Sequence, residues 1–293
     1  MDGAIVVDKP AGWTSHDVVG KLRRLARTKK VGHLGTLDPI ATGVLPLVLN
    51  RATRLARFYV RSDKVYHAVV RFGYSTTTYD RAGEPTSRET EPAITREEIE
   101  RHLDRFRGAF LQTPPPVSAK KVDGVRAYKL VRQNVAVELE PVAVEVYDLE
   151  LLELNGAEAV MRAHCSGGTY MRAIAHDLGE ALGCGAHLRD LRRTLSGEFK
   201  IEQARTIPEL EQLAAEDRMA EAVIPAAELL PDITAVYVDE LVVNHIRQGR
   251  NFPVSPFRAK PGGRFVKAVS REGDLVAIGE AVLPNLYHPA VVL

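Results

Sequence analysis

The chain has 293 residues, of which 45% are hydrophobic and 26% charged, and this composition is typical of a globular protein rather than a disordered one. Its two cysteines, Cys165 and Cys184, argue against a disulfide framework and favour a reducing compartment. The first ten residues lack the pattern of a signal peptide, and no apolar stretch approaches the length of a membrane span. We therefore expect a cytoplasmic protein with no membrane association.

The net charge of +1 conceals an uneven distribution along the chain. Residues 1–72 carry 13 Lys and Arg against 5 Asp and Glu, residues 73–234 carry 19 against 28, and residues 235–293 carry 7 against 5. A basic beginning and a mildly basic end are typical of a protein that contacts a polyanion at both ends. Charges that are separated along the sequence need not be separated in space, so both interpretations stay open.

Strand and helix patterns mix along the chain without a strict alternation. Runs rich in β-branched, aromatic and other apolar residues predict strands at 3–8, 64–72, 134–154 and 158–165. Apolar residues at helical spacing predict helices from Thr14 or Ser15, either of which can serve as the cap, to about Arg27, at 95–107 and at 169–182. This order predicts an α+β fold with a mixed, largely antiparallel sheet.

Two proline-containing breaks divide the chain. Thr113-Pro114-Pro115-Pro116 opens a basic insertion at about 113–134, and Leu230-Pro231-Asp232 ends a main domain at 1–232. A helix at about 238–248 and short strands near 264–270, 274–282 and 288–293 then predict a small β-rich domain at 235–293. Its size is near the lower limit for independent folding.

The densest cluster of charge lies at 21–30, where six of ten residues are Lys or Arg. Such a run can follow a phosphate backbone. It can equally form the solvated face of a helix, which is the commoner role of a charged run.

A loop at 32–46 places one acid, Asp38, among glycines and prolines. Gly32, Gly35 and Gly43 permit backbone conformations that other residues avoid, and Pro39 favours an extended conformation for Asp38. The loop can therefore hold a carboxylate towards a cleft. The ordinary alternative is a turn in which the Asp side chain binds its own backbone.

The segment at 32–46, with its Gly-Thr-Leu-Asp-Pro sequence, resembles the catalytic motif of the TruB family, the bacterial tRNA pseudouridine-55 synthases. Four further stretches resemble segments of this family in the same order, at 7–12, 63–66, 165–172 and 183–193. The resemblance covers nearly the whole chain. It implies a pseudouridine synthase catalytic domain followed by a small RNA-binding domain of the PUA type. Residues 235–293 would form this second domain.

The resemblance also implies the reaction and the residues that perform it. Asp38 would be the catalytic residue that isomerises uridine to pseudouridine at position 55 of the tRNA T-loop, without a metal or another cofactor. Whether Asp38 attacks the sugar, attacks the base or removes a sugar proton stays open. Six further residues are implied to bind or shape the substrate site. Tyr66 would stack on the flipped uracil, and His33 would fill the vacated space in the RNA loop. Arg172 would be the partner of Asp38, Asp80 would complete their network, and Lys9 and Leu191 would also belong to the site.

Two positions depart from the family pattern. Leu34 stands where many relatives have a small polar residue, and Thr77 replaces an acid that is often present. Asp80 keeps its place, so we expect the departures to change local hydrogen bonds and to leave the site intact.

A zinc site is a weaker interpretation of the cysteines and histidines. His164-Cys165 and the Cys184–His187 pair have superficial ligand spacing, but adjacent strand residues face opposite ways and cannot readily share a metal.

Two other functions remain to be separated from a stand-alone modifying enzyme. One is an RNA-folding factor that grips the tRNA elbow, with catalysis secondary. The other is a guide-RNA-dependent synthase that works within a multiprotein complex. The basic insertion favours a monomeric enzyme that clamps its own T-arm RNA without an obligatory protein partner.

Overall fold

The computed structural model describes residues 2–118, 120–122, 125–126, 139–255 and 263–293, with the backbone alone at 121–122 and 125–126. The strands are β1 Gly3–Lys9, β2 Val31–His33, β3 Thr42–Leu49, β4 Lys64–Phe72, β5 Gly108–Gln112, β6 Lys121–Val122, β7 Val125–Arg126, β8 Val142–Asn155, β9 Glu158–Cys165, β10 Ala186–Ser196, β11 Phe199–Lys200, β12 Ile224–Pro225, β13 Ala235–Tyr237, β14 Phe252–Pro253, β15 Phe265–Val269, β16 Leu275–Leu283 and β17 Leu286–Val292. The α-helices are α1 Ser15–Leu25, α2 Arg96–Leu103, α3 Met171–Ala181, α4 Ile207–Ala215 and α5 Glu240–Arg247, and short 3-10 helices lie at Asn50–Phe58, Asp104–Phe106, Ile201–Gln203 and Met219–Ala222. Within the described residues, no helix is long and apolar enough to cross a membrane.

The main sheet has ten strands in the order β12-β1-β3-β10-β4-β9-β8-β5, with β2 added to β3 and β11 added to β10. Its pairings are antiparallel except for the parallel contact of β3 with β10. This confirms the predicted α+β fold with a mixed, largely antiparallel sheet. A second sheet, β13-β15-β16-β17-β14, forms the small C-terminal β-rich domain.

Buried and more exposed side chains alternate along β4, and this alternation gives the sheet one covered face. Tyr66, Ala68, Val70 and Phe72 are buried on the covered side, whereas His67 is exposed on the other. Residues from α1, α2, α3 and α4 complete the core on the covered side. Strands β1 and β3 are buried on both faces, because the C-terminal domain packs against their other side.

The predicted basic insertion at 113–134 lies only partly within the described residues. A two-stranded antiparallel pair, β6 with β7, lies inside it, while residues 119, 123–124 and 127–134 lie outside the described part. The strand predicted at 134–154 is β8, which begins at Val142. Residues 134–138 of that prediction are also outside the described part.

Candidate active site

Asp38 lies in the loop between β2 and β3, and hydrogen bonds fix its neighbours on both sides. The buried Ser15 hydroxyl accepts a hydrogen bond from Leu37 N at 2.8 Å and donates to Leu37 O at 3.1 Å. After Asp38, Gly12 N donates to Pro39 O at 2.8 Å. The start of α1 and the turn before it therefore hold the loop, and the Asp38 side chain remains 35% exposed.

Thr14, and not Ser15, caps α1. Its hydroxyl accepts from Asp17 N, and the Asp17 carboxylate accepts from Thr14 N at 2.8 Å, which together form a capping box. This resolves the alternative left open by the sequence. Because Thr14 satisfies the helix end, Ser15 is available to the loop that carries Asp38.

Arg172 holds the Asp38 carboxylate with two nitrogens. Its Nε lies 2.9 Å from Asp38 Oδ2, and its Nη2 lies 3.2 Å from Asp38 Oδ1. Such a fork fixes the orientation of a carboxylate as well as its distance. The carboxylate thus faces a partner from α3 rather than its own turn, and Arg172 in the first turn of that helix has the acidic partner that we predicted.

The remaining groups around the Arg172 guanidinium come from two other segments. Nη1 donates to Thr78 O at 3.0 Å, and Nη2 donates to Val117 O at 2.9 Å. Asp80 Oδ2 lies 3.6 Å from Nε, and Thr78 Oγ1 donates to Asp80 Oδ1 at 2.7 Å. Asp38, Arg172 and Asp80 therefore lie together in one ion-pair network, in which Asp80 is buried and Asp38 is partly exposed.

A cavity of about 500 Å³ opens beside Asp38. Five of the seven residues selected from the sequence line it, namely His33, Asp38, Tyr66, Arg172 and Leu191. Tyr66 projects from β4 with 8% exposure, and burial raises the pKa of its hydroxyl. The volume lies within the range of about 300–1,000 Å³ that is common for small-molecule sites.

Lys9 lies behind the Asp38 loop rather than on the cavity wall. Its Nζ donates to Trp13 O at 2.6 Å, to Pro10 O at 2.9 Å and, more weakly, to Pro39 O at 3.4 Å. Burial lowers its pKa to about 8, although the nearby Asp38 charge opposes this shift. Lys9 thus supports the backbone under Asp38 from behind the loop and does not line the cavity.

Arg193 is a residue of the site that we did not select from the sequence. It is 1% exposed and donates to Val44 O at 2.8 Å, to Gly35 O at 3.1 Å and to Thr36 O at 3.3 Å. These carbonyls lie on both sides of Asp38 along the chain. Gly43 permits the close approach, since a Cβ there would collide with the Arg193 backbone and its φ is +98°.

Lys64 is a second residue of the cavity wall that the sequence analysis did not identify. It is 6% exposed and donates to Ser62 O, and burial lowers its pKa to about 8. Lys64 lies two residues before Tyr66 on β4, so both side chains face the cavity. The alternation of β4 was a signal that could have identified it.

The two departures from the family pattern have local explanations. Leu34 is buried in the core shared with the C-terminal domain and also lines the cavity. The Thr77 hydroxyl accepts from Glu84 N at 3.2 Å and so closes the loop that carries Asp80. Asp80 accepts from Ala82 N at 3.0 Å and keeps its contact with Arg172.

His164 and Cys165 face opposite sides of β9, as predicted. Cys165 is buried in the core, whereas His164 is partly exposed and its Nε2 lies 3.3 Å from Asp63 Oδ2. Within the described ranges, no group of three or more His, Cys, Asp and Glu side chains has the arrangement of a metal site.

The site combines one accessible carboxylate, an arginine that orients it, and an aromatic and an aliphatic wall. A carboxylate so placed can act as a nucleophile or accept a proton at one atom of a ligand. Tyr66 and Leu191 offer apolar surface on which a planar base can lie.

The chain matches two family models. Residues 23–171 match the TruB family pseudouridylate synthase N-terminal domain, and residues 172–236 match the tRNA pseudouridylate synthase B C-terminal domain. The second match ends within β13, so the other four strands of the smaller sheet lie beyond it.

Curated relatives and a solved structure agree with these matches. A protein named tRNA pseudouridine synthase B from Solibacter usitatus (strain Ellin6076) is 67% identical over 293 residues, with 100% of both chains covered. A protein of the same name from Aquifex aeolicus (strain VF5) is 40% identical, over 88% of this chain and 89% of that one. A Cbf5-Nop10-Gar1 complex contains a chain with 28% identity and a TM-score of 0.72, over 97% of this chain and 79% of that one. The chain therefore belongs to the TruB family of pseudouridylate synthases.

Proposed function

We propose that the chain converts uridine 55 in the T-loop of tRNA to pseudouridine, with Asp38 as the catalytic residue. The observation that carries this proposal is the Asp38 carboxylate, held in a two-point contact by Arg172 at the side of a nucleoside-sized cavity. The relatives named tRNA pseudouridine synthase B support tRNA as the substrate.

The reaction is an isomerisation, so atoms and electrons balance within the nucleotide. The bond from C1′ of the ribose to N1 of uracil breaks, the base turns, and a bond from C1′ to C5 forms while the proton on C5 is lost and N1 gains one. A single carboxylate can stabilise C1′ as an ester, attack the base, or take a sugar proton, and each route uses Asp38. No redox change occurs, and the proposal includes no metal or other cofactor.

The residues that line the cavity have distinct proposed roles. A uridine must leave the RNA loop before it reaches Asp38, at a cost of a few kcal/mol. Stacking on Tyr66 recovers roughly 1–3 kcal/mol of this cost. Leu191 packs beside the base, and His33 fills the space that the base leaves in the loop. Arg172 and Asp80 orient Asp38, and Lys9 supports its loop.

The proposed RNA surface extends beyond the cavity. We assign residues 235–293 to a PUA-like RNA-binding domain and the insertion at about 113–134 to a T-arm clamp. The cations at 21–30 are less available to bind RNA phosphates. Lys21 pairs with Glu211, and Arg27 Nη1 lies 3.6 Å from Asp217 Oδ1. These pairs favour the interpretation of 21–30 as a solvated charged surface for Lys21 and Arg27.

We further propose that the chain works alone, as a monomer in the cytoplasm, and needs no guide RNA. The alternative has specific support, since the Cbf5 neighbour is a chain of a complex with Nop10 and Gar1. A folding role in addition to catalysis is compatible with the same RNA grip.

Pseudouridine mapping on an unmodified tRNA transcript with the purified chain and no additions tests the proposal. We expect modification at position 55, and equal modification of an isolated T-arm hairpin. Modification that appears only after addition of a guide RNA or partner proteins would overturn the stand-alone proposal. A lack of pseudouridine under either condition would overturn the proposed activity.

A further inference from the structure

Tyr79 has an unusual backbone conformation next to the site. Its φ is +63°, in the left-handed region that bulky residues seldom occupy. Such conformations persist only where surrounding contacts impose them, and they cluster at functional sites. Two backbone hydrogen bonds hold it there, from Tyr79 N to Thr76 O at 3.1 Å and from Leu188 N to Tyr79 O at 3.0 Å.

The Tyr79 ring stacks on His176 of α3. The ring centroids are 3.7 Å apart, and the planes differ by 5°. The Nδ1 atom of His176 is buried without a hydrogen-bond partner among the described residues, and the ring is oriented by stacking on Tyr79. His176 follows Arg172 by four positions, and both side chains therefore project from the same face of the helix.

The residues on either side of Tyr79 both contact Arg172. Thr78 O accepts from Arg172 Nη1 at 3.0 Å, and Asp80 Oδ2 lies 3.6 Å from Arg172 Nε. The turn of the chain at Tyr79 allows a carbonyl and a carboxylate from its two flanking residues to reach one guanidinium. The ring then fixes this turn to α3, one helical turn beyond Arg172.

We propose that Tyr79 and His176 form an aromatic pair that positions Arg172, and through it Asp38, for the reaction. Neither residue lines the cavity beside Asp38, so both are positioning residues. This inference rests on the proposed function, since its effect is read out in pseudouridine formation. A displaced Arg172 would leave RNA affinity unchanged and slow the chemical step, because only the orientation of the carboxylate changes.

Tyr79→Asn separates positioning from stability. Asparagine accepts the left-handed backbone, so the turn is kept without strain while the ring is lost. We expect the single-turnover rate at saturating tRNA to fall by about ten- to a hundred-fold, with tRNA affinity and the melting temperature close to wild type. Tyr79→Phe and His176→Phe each keep a stacked pair and should retain the wild-type rate. His176→Ala should be as slow as Tyr79→Asn.

Tyr74 provides the matched control. It lies in the same loop, and its ring contacts His187 at 4.6 Å between centroids, away from Arg172. Tyr74→Leu should change the melting temperature more than the single-turnover rate. The double variant Tyr79→Asn/His176→Ala should be no slower than either single variant, because one contact is removed in all three.

Each failure has a distinct outcome. A wild-type rate for Tyr79→Asn, or an equal loss for Tyr79→Phe, overturns the positioning role and leaves the proposed function standing. A rate loss that follows the melting temperature across all variants, Tyr74→Leu included, also overturns it. If the wild-type chain forms no pseudouridine in the same assay, the proposed function itself fails.

Discussion

Besides Arg172, three buried cations lie around the Asp38 loop, and each donates at least one hydrogen bond to a backbone carbonyl. Lys9 and Arg193 contact carbonyls of the loop itself, and Lys64 contacts Ser62 O beside the cavity. Among the described side chains, none of the three lies in an ion pair, whereas Arg172 contacts two carboxylates. This arrangement concentrates positive charge around one accessible carboxylate, which favours the approach of an anionic RNA.

Arg193→Met should be among the most damaging changes in the site. It removes three donors from buried carbonyls, each of which costs about 1–3 kcal/mol when left unsatisfied. We expect a lower free energy of unfolding and a slower single-turnover rate, measured by denaturant titration and pseudouridine formation. Arg192→Met is the matched control, because Arg192 pairs with Asp8 at 2.8 Å on the partly exposed face. Equal effects of the two variants would show that Arg193 has no special relation to the loop.

Tyr66 allows stacking to be separated from hydroxyl chemistry. Tyr66→Phe keeps the ring, and Tyr66→Leu removes both the ring and the hydroxyl. If Tyr66 acts only by stacking, Phe should retain most activity and Leu should lose about 1–3 kcal/mol of transition-state stabilisation. We favour a further role for the hydroxyl, in which case Phe is nearly as slow as Leu. Single-turnover pseudouridine formation decides this, and a fully active Tyr66→Phe would remove the hydroxyl role.

Family resemblance identified site residues that local sequence patterns did not. The residue types around Asp38 are equally compatible with an ordinary turn, and only the matching segments indicated Arg172 as its partner. Arg193 was not selected from the sequence as a site residue. Arg192 and Arg193 are adjacent in β10, so one side chain faces inward and the other outward. The sequence does not say which, since register shifts interrupt the pairing of this strand with β4.

Two neighbouring hydroxyls at the start of helix α1 have different roles. Thr14 caps the helix, whereas Ser15 binds both backbone groups of Leu37. The first task stabilises the helix, and the second fixes the loop that carries Asp38.

Thr14→Ala and Ser15→Ala should therefore have different consequences. Loss of the Thr14 cap should cost about 1 kcal/mol of stability and leave the single-turnover rate near that of wild type. Loss of the Ser15 hydroxyl should slow the reaction, because Leu37 loses both polar contacts next to Asp38. Thermal melts and single-turnover assays of both variants provide the comparison. A slower Thr14→Ala than Ser15→Ala would contradict this assignment.

Elements whose apolar residues follow a regular period were predictable from the sequence. Elements whose period is interrupted were not. The strand predicted at 64–72 is β4 to the residue, and α3 begins two residues later than predicted. We did not predict β10, although it lies between β3 and β4 in the main sheet. Its charged residues and two register shifts break the alternation that identifies a strand.

The whole molecule is joined through a core that both sheets share. Ile278 and Val291 of the C-terminal domain lie in one cluster with Leu55 and Tyr59, and Phe58 meets Phe265 edge to face at 5.4 Å. The buried Lys267 donates to Ala227 O at 2.9 Å and to Leu229 O at 2.8 Å, and burial lowers its pKa. The sequence predicted a small separate domain, but apolar residues alone did not reveal that its core continues into the first.

We expect a single thermal transition for the whole chain because of this shared core. Ile278→Ala should lower the free energy of unfolding by about 2–5 kcal/mol and move the transition as one unit. Val276→Ala is the control, since Val276 belongs to the cluster confined to the C-terminal domain. Scanning calorimetry that resolves two transitions in the wild-type chain would contradict the coupling of the two sheets.

The most direct test of the account is pseudouridine formation by wild-type protein and Asp38→Asn on the same unmodified tRNA. Asparagine is nearly isosteric with aspartate, but it can act neither as nucleophile nor as base, and it still occupies the site beside Arg172. We predict stoichiometric conversion of uridine 55 by the wild-type protein, and no detectable conversion by Asp38→Asn despite retained tRNA binding. Appreciable turnover by a verified Asp38→Asn sample would contradict the assignment of Asp38 as the catalytic residue.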